Sequence, residues 1–234
     1  MTHLRQLPIL TLAAAKAIAA AAEAFAVEQG WTVAIAVVDA AGGLILFQFL
    51  DDTQPGSQEV AVQKARTAAF FSDNTHAFSA RAIGFLSQGF FPPGIASTGP
   101  GPLFHLQDEL SLQSFPNPTN LKGKLANGIT IFPGGVPLYK KGVLVGAVGI
   151  SGDGVDQDDI ISFYGGKRYA PAVSIRSDAL PEEEAVSFLR SKIEELDNNF
   201  TISLGQQLFS TKRINALLDN IRLPYVKFPR NPEV

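Results

Sequence analysis

Residues 132–150 read Phe-Pro-Gly-Gly-Val-Pro-Leu-Tyr-Lys-Lys-Gly-Val-Leu-Val-Gly-Ala-Val-Gly-Ile. Two runs suited to a pleated sheet, Val136 to Tyr139 and Val143 to Ile150, flank Lys140-Lys141-Gly142, a turn whose glycine is free to take a positive φ. Runs joined by so short a connection pair antiparallel, so a hairpin is expected here. Gly128 to Phe132, just upstream, is another β-prone run and extends the hairpin to three consecutive antiparallel strands. Downstream, Asp156 to Phe163 reads as a helix, with Asp156, Asp158 and Asp159 gathered at its positive N-terminal end.

The same alternation of sheet and helix continues towards the N-terminus. Trp31 to Val38 and Leu44 to Leu50 are β-branched and apolar, and Asp39-Ala-Ala-Gly42-Gly43 between them has hairpin chemistry. Thr11 is placed to cap a helix reaching about Gln29, with ten alanines between Leu12 and Gly30 and Gly30 as its stop. Alanine at that density permits very close packing against a sheet. Ser57 opens a second helix to about Phe71, in which Val60, Lys64, Thr67 and Phe71 recur at three- and four-residue spacing. A short helix is expected over 75–83. The stretch from about 84 to 126 carries Pro92-Pro93, Gly99 to Pro102 and five phenylalanines, which predicts a packed cover. Pro181 sits at the first position of a helix to about Asp197. Residues 202–209 fit helix or strand equally, and the proline-spaced tail 222–232 reads as extended.

Composition bounds the function. The 234 residues are 46% hydrophobic and 18% charged, with a net charge of −3, so the chain is globular and has no electrostatic pull towards nucleic acid or an anionic membrane. Cysteine is absent, which excludes disulfides, thiolate metal sites and covalent haem attachment through C-x-x-C-H. A reducing cytoplasm is therefore the expected location. Leu7 to Ala22 superficially matches a signal h-region, but Lys16 and Glu23 interrupt it, and no apolar run reaches the ~20 residues of a membrane span.

Four blocks, taken in order, carry a resemblance. They are Val37-Val38-Asp39 with Gly42-Gly43, Lys64-Ala65 with Thr67-Ala68, Gly134-Gly135 with Pro137, and Gly146 through Gly152 with Asp158. In these the chain resembles the GlcG/HbpS-like family, which includes the C-terminal domain of PduO-type proteins, over about residues 9–83 and 127–166. The resemblance implies an α+β fold with a five-stranded antiparallel sheet and packed helices. It implies a single domain over 1–234, with an insertion at about 84–126 and a C-terminal extension at about 167–234. It further implies homo-oligomers and, for some members, haem or corrinoid-related ligands.

The candidate functional residues follow. Lys64 lies mid-helix among apolar neighbours, and a lysine buried there needs a paired charge or a lowered pKa, either of which suits carboxylate binding. The alternative is a surface or structural lysine paired with Asp39 or Glu59. Asp39 ends an apolar strand, where its carboxylate either accepts bonds from the turn or serves as a base. Gly134 and Gly135 form either a plain turn or a nest that bares backbone N–H groups to an anion. Haem iron takes an axial His, Met, Cys or Tyr. Here the candidates are His76 and His105, with Tyr139 and Tyr164 as oxygen ligands, since Met1 is the single methionine. Against each histidine stands the ordinary hydrogen-bonded role. Gly149-Ile-Ser151-Gly152 misses a nucleophile elbow, and Asp153 to Asp159 lacks the spacing of an EF-hand.

The resemblance, taken with these residues, implies a small-molecule-binding protein with haem or a related tetrapyrrole as ligand. Its contacts would be Lys64, Thr67, His76, Phe104, His105, Gly134, Gly135 and Tyr139, with iron on His76 or His105 and carboxylates on Lys64 or Arg66. The alternative is a cofactor-independent isomerase, cyclase or lyase that moves a proton with Lys64 or Asp39 under the insertion as a lid.

Overall fold

The computed structural model describes residues 8–86, 129–130, 132–196, 221–222 and 229–230. The sheet consists of β1 (Ala34–Asp39), β2 (Leu44–Phe49), β3 (Gly135–Lys140) and β4 (Val143–Ser151), all antiparallel in the order β2-β1-β4-β3. The hairpin read from residues 132–150 is β3–β4, turned by Lys141 and Gly142 at φ 52° and 77°. A separate pair of two-residue strands, β5 (Ile221–Arg222) and β6 (Pro229–Arg230), lies in the C-terminal tail.

The two faces of the four-stranded sheet differ in side-chain size, and that difference sorts the helices. One face carries Val33, Ile35, Val37, Val136, Leu138, Val148 and Ile150, and packs against α1 (Leu12–Gln29) and α4 (Val155–Gly166). As expected, α1 is capped by Thr11, whose hydroxyl accepts from the Ala14 amide, and stops at Gly30 with φ 75°.

The other face is built of small residues, and α2 (Ser57–Phe70) lies on it through Ala61, Ala65 and Ala68 against Ala34, Ala36 and Ala147. In register across the strands run Ala36, Gly149 and Gly135. A Cβ at Gly149 would stand 2.1 Å from the Ala61 carbonyl oxygen, and one at Gly135 would stand 2.2 Å from that of Lys64. The helix backbone thus rests directly on the sheet backbone.

Among the described residues the main sheet has four strands, where the resemblance implies five. Of the run Gly128 to Phe132 read as a strand, residues 128 and 131 lie outside the described residues; Thr130 bonds to a side chain, the Thr67 hydroxyl donating to its carbonyl (2.9 Å) and accepting from its amide (3.0 Å). The helix expected over 75–83 is also displaced, to α3 (Ala80–Leu86). Asp73 Oδ1 accepts from the amides of Thr75 and His76, and Ser72 pairs with the Phe78 backbone. Side chains that bond the local backbone in this way compete with a helix. In the C-terminal segment, α5 (Glu182–Leu196) seats Ala185 and Leu189 against Phe71, Phe78 and Ile83. No helix among the described residues is long and apolar enough to cross a membrane.

Because α2 has no slack above Gly149, Gly149→Ala should destabilise the protein by about 3 kcal/mol, the upper range for overpacking. Gly30→Ala, which meets nothing within 4 Å and suffers only its positive φ, should cost about 1 kcal/mol. Urea midpoints of the two variants compare these directly.

Candidate functional site

Lys64 projects from α2 beside the start of β3 and is 2% exposed. Its ammonium donates to Asp158 Oδ2 at 2.7 Å, and Asp158 is buried in the first turn of α4. The neighbouring Asp159 is fully buried; Oδ2 accepts from Arg81 Nε at 2.9 Å, and Oδ1 accepts from the Gly134 amide at 3.1 Å. Arg81, fully buried on α3, also donates through Nη2 to the Val155 carbonyl and to Asp156, the member of the group nearest solvent at 24% exposure. Two cations from α2 and α3 therefore meet three carboxylates on one helical turn.

Gly134 is required at the centre of this group. Its φ is +114°, and a Cβ there would stand 2.5 Å from the Ile150 carbonyl, 2.9 Å from Asp158 Cβ and 3.1 Å from Lys64 Cδ. The anion that this turn's amide meets is the protein's own Asp159. Gly135 belongs to β3 and touches Lys64 through backbone.

Burial dominates the proton equilibria here. Loss of water pushes the Lys64 ammonium below its ordinary pKa, against the pull of Asp158. The same loss pushes Asp158 and Asp159 above theirs, against Lys64 and Arg81 respectively. The contact geometry is that of an ion pair, while burial narrows the gap between the two protonation sites, so the proton is held less firmly on nitrogen than in water.

The other sequence candidates fall elsewhere. Asp39 Oδ1 accepts from the amides of Ala41 and Gly43, both at 2.8 Å, so its carboxylate holds the β1–β2 turn. The Lys64 partner is accordingly neither Asp39 nor Glu59. Arg66 Nε donates to the Gly42 carbonyl, and Thr67 is fully buried in its clamp on Thr130. His76 stacks on Phe188 at 4.0 Å, with Nδ1 beside Thr75 and Asp73 and Nε2 3.5 Å from Glu184. The Tyr139 hydroxyl donates to the Asp73 and His76 carbonyls. His76, on the loop before α3, and Tyr139, on β3, thus meet each other through the His76 carbonyl. Phe104 and His105 lie outside the described residues.

The sequence does not single out Arg81, and it presents Asp158 and Asp159 as helix-terminal acids, Asp158 also as part of the resemblance, with no partner assigned to either. The signals available were an arginine set among Ser79, Ala80, Ala82 and Ile83, and two adjacent acids followed by Ile160-Ile161.

An antiparallel sheet carrying helices on both faces, with the chain order found here, defines the α+β class. The family model described as haem degrading protein HbpS-like matches residues 10–165. An uncharacterized 15.0 kDa protein of the dhaT-dhaS intergenic region of Citrobacter freundii is 33% identical over 162 residues, spanning 69% of this chain and 93% of that protein. The crystal structure of Klebsiella pneumoniae protein ORFY, a DUF336 protein, is similar with a TM-score of 0.51 and 27% identity over 72% of this chain and 96% of that one. A PduOC complex with haem has a TM-score of 0.47 at 26% identity, covering 68% of this chain and 94% of its own. The chain belongs to the HbpS-like family. All five residues of the buried charge group and Gly134 lie within the matched span.

Removing one partner of a buried pair strands the other charge. Lys64→Met should cost about 3–5 kcal/mol, while Lys64→Met combined with Asp158→Leu should return to within about 1 kcal/mol of wild type in urea unfolding. Asp73 supplies a pH signature. Burial alone would raise its pKa, but the bonds from Thr75 and His76 together outweigh that and lower it below 3.8. A depressed carboxylate stabilises the fold above its unfolded value and loses that contribution as pH falls through the folded value. Asp73→Asn should therefore flatten the acid limb of the stability–pH curve below 3.8 and leave the neutral region parallel to wild type.

Proposed function

We propose that this chain is a small-molecule-binding protein of the HbpS-like type, acting in the cytoplasm as a homo-oligomer, with haem or a related tetrapyrrole as its ligand. The observation that carries the reading is the family match over residues 10–165, to a family described by haem degradation. Haem needs an axial donor for its iron and cations for its carboxylates. Among the described residues the axial requirement is not met by His76 or Tyr139. The ring nitrogens of His76 face Thr75, Asp73 and Glu184, and the Tyr139 hydroxyl is spent on two carbonyls. Lys64 likewise gives its charge to Asp158. These groups do not fit iron and propionate ligation as they stand, and binding at Lys64, Thr67, His76, Gly134, Gly135 or Tyr139 would require those contacts to open.

A second reading, a cofactor-independent enzyme acting on a small organic substrate, is favoured by one observation. Lys64 and Asp158 are a lysine and a carboxyl in contact whose pKa values burial drives towards each other, as suits a group that relays a proton. Asp158 takes the place of Asp39 in that reading, since Asp39 is held by its turn.

Titration of the purified chain with haemin separates the two. The tetrapyrrole reading expects a shifted Soret band and quenching of Trp31, the single tryptophan. Unchanged absorption and emission at micromolar haemin would overturn it and leave the enzyme reading.

A further inference from the structure

Most cations of the core are consumed by carboxylates, but one exposed group is not. Lys140 and Lys141, in the β3–β4 turn, and Lys167 and Arg168, just past the end of α4, are all exposed, and among the described residues none of the four is ion-paired. The two segments meet: Lys140 Nζ lies 5.5 Å from the centre of the Tyr169 ring. On a chain of net charge −3 this is a local concentration of positive charge. The C-terminal end of a helix favours cations and accounts for Lys167 and Arg168 alone. It does not account for Lys140 and Lys141, which arrive from another element.

Beside Lys167, one of these cations, stands an exposed aromatic stack. Tyr164, 42% exposed, lies 3.9 Å from Phe25 with the rings 10° from parallel, and Lys167 Nζ is 5.7 Å from its centre. Phe25 in turn meets Trp31 edge-on at 6.1 Å. A flat aromatic surface next to unpaired cations is complementary to a planar aromatic molecule that bears carboxylates.

We propose that Tyr164, Lys167, Arg168 and Lys140 form a docking surface for a planar aromatic polycarboxylate, which extends the Phe25–Tyr164 stack by one ring and places its carboxylates on the cations. The proposal rests on the tetrapyrrole reading and adds that binding at this surface is independent of iron, because stacking and charge pairing supply the contacts. Lys167 moves from the tyrosine ring to a ligand carboxylate.

The test titrates the full chain with haemin, with iron-free protoporphyrin IX and with the uncharged dimethyl ester of protoporphyrin IX, and reads Trp31 emission and the Soret band. Haemin and protoporphyrin IX should bind with Kd values within about threefold of each other, and the ester about tenfold more weakly. Tyr164→Ala and the pair Lys167→Ala with Arg168→Ala should each weaken haemin about tenfold while the variants stay folded by circular dichroism, with melting lowered by the lost Phe25 stack in the first and by the lost helix-end cations in the second. Haemin bound equally by wild type and these variants would overturn the surface and leave the tetrapyrrole reading intact. Binding of haemin without protoporphyrin IX would overturn the iron independence and with it the proposal. Failure of wild type to bind any of the three would overturn both readings together.

Discussion

The structure depends on one steric constraint: the backbone of α2 rests on the backbone of the sheet at Gly149 and Gly135. Any side chain at either position would overlap a helix carbonyl. The close approach brings the long side chain of Lys64 to the level of Gly134 and the first turn of α4, where water is excluded. Side chains at these two positions would lift the helix and leave that ammonium in a wetter space, and its pairing with Asp158 would weaken accordingly.

From that approach the rest of the charge group follows. Lys64 needs a carboxylate within reach because an unpaired buried charge is prohibitive. Asp158 supplies it, Asp159 turns to Arg81, and the amide of Gly134 completes the coordination of Asp159. The group ties α2, α3, α4 and the entry to β3 together, so the two layers on opposite faces of the sheet are joined at one edge by charge as well as by the core. Replacing such a group with apolar residues often costs little stability, and retention of the ions is then an argument for specificity or function.

Much of the scaffold was legible in the sequence because it depends on local signals. Thr11 and Gly30 bound α1, the β3–β4 turn declares itself through Lys141-Gly142, and Pro181 and its glutamates announce α5. The candidate site was only half legible. That Lys64 is buried could be read from its neighbours, whereas its partner lies 94 residues away and spacing carries no information across that distance. Arg81 was hidden in the same way, and Asp158 and Asp159 were masked by the ordinary preference of acids for a helix start. The helix expected over 75–83 is displaced for a different reason: the Ser72 hydroxyl and the Asp73 carboxylate claim backbone groups that pattern alone assigns to secondary structure.

The Thr67 clamp has a bearing on how this protein can change over evolutionary time. Residue 130 is fastened by a single hydroxyl, and α3, where the chain departs towards residue 87, is fastened by Arg81. Departure and return are therefore both held by side chains of the described framework, Arg81 and Thr67, through long-range contacts. Selection therefore bears on those two side chains in any descendant: a change at either position frees a point where the chain leaves or rejoins the framework, whatever happens to the sequence between them.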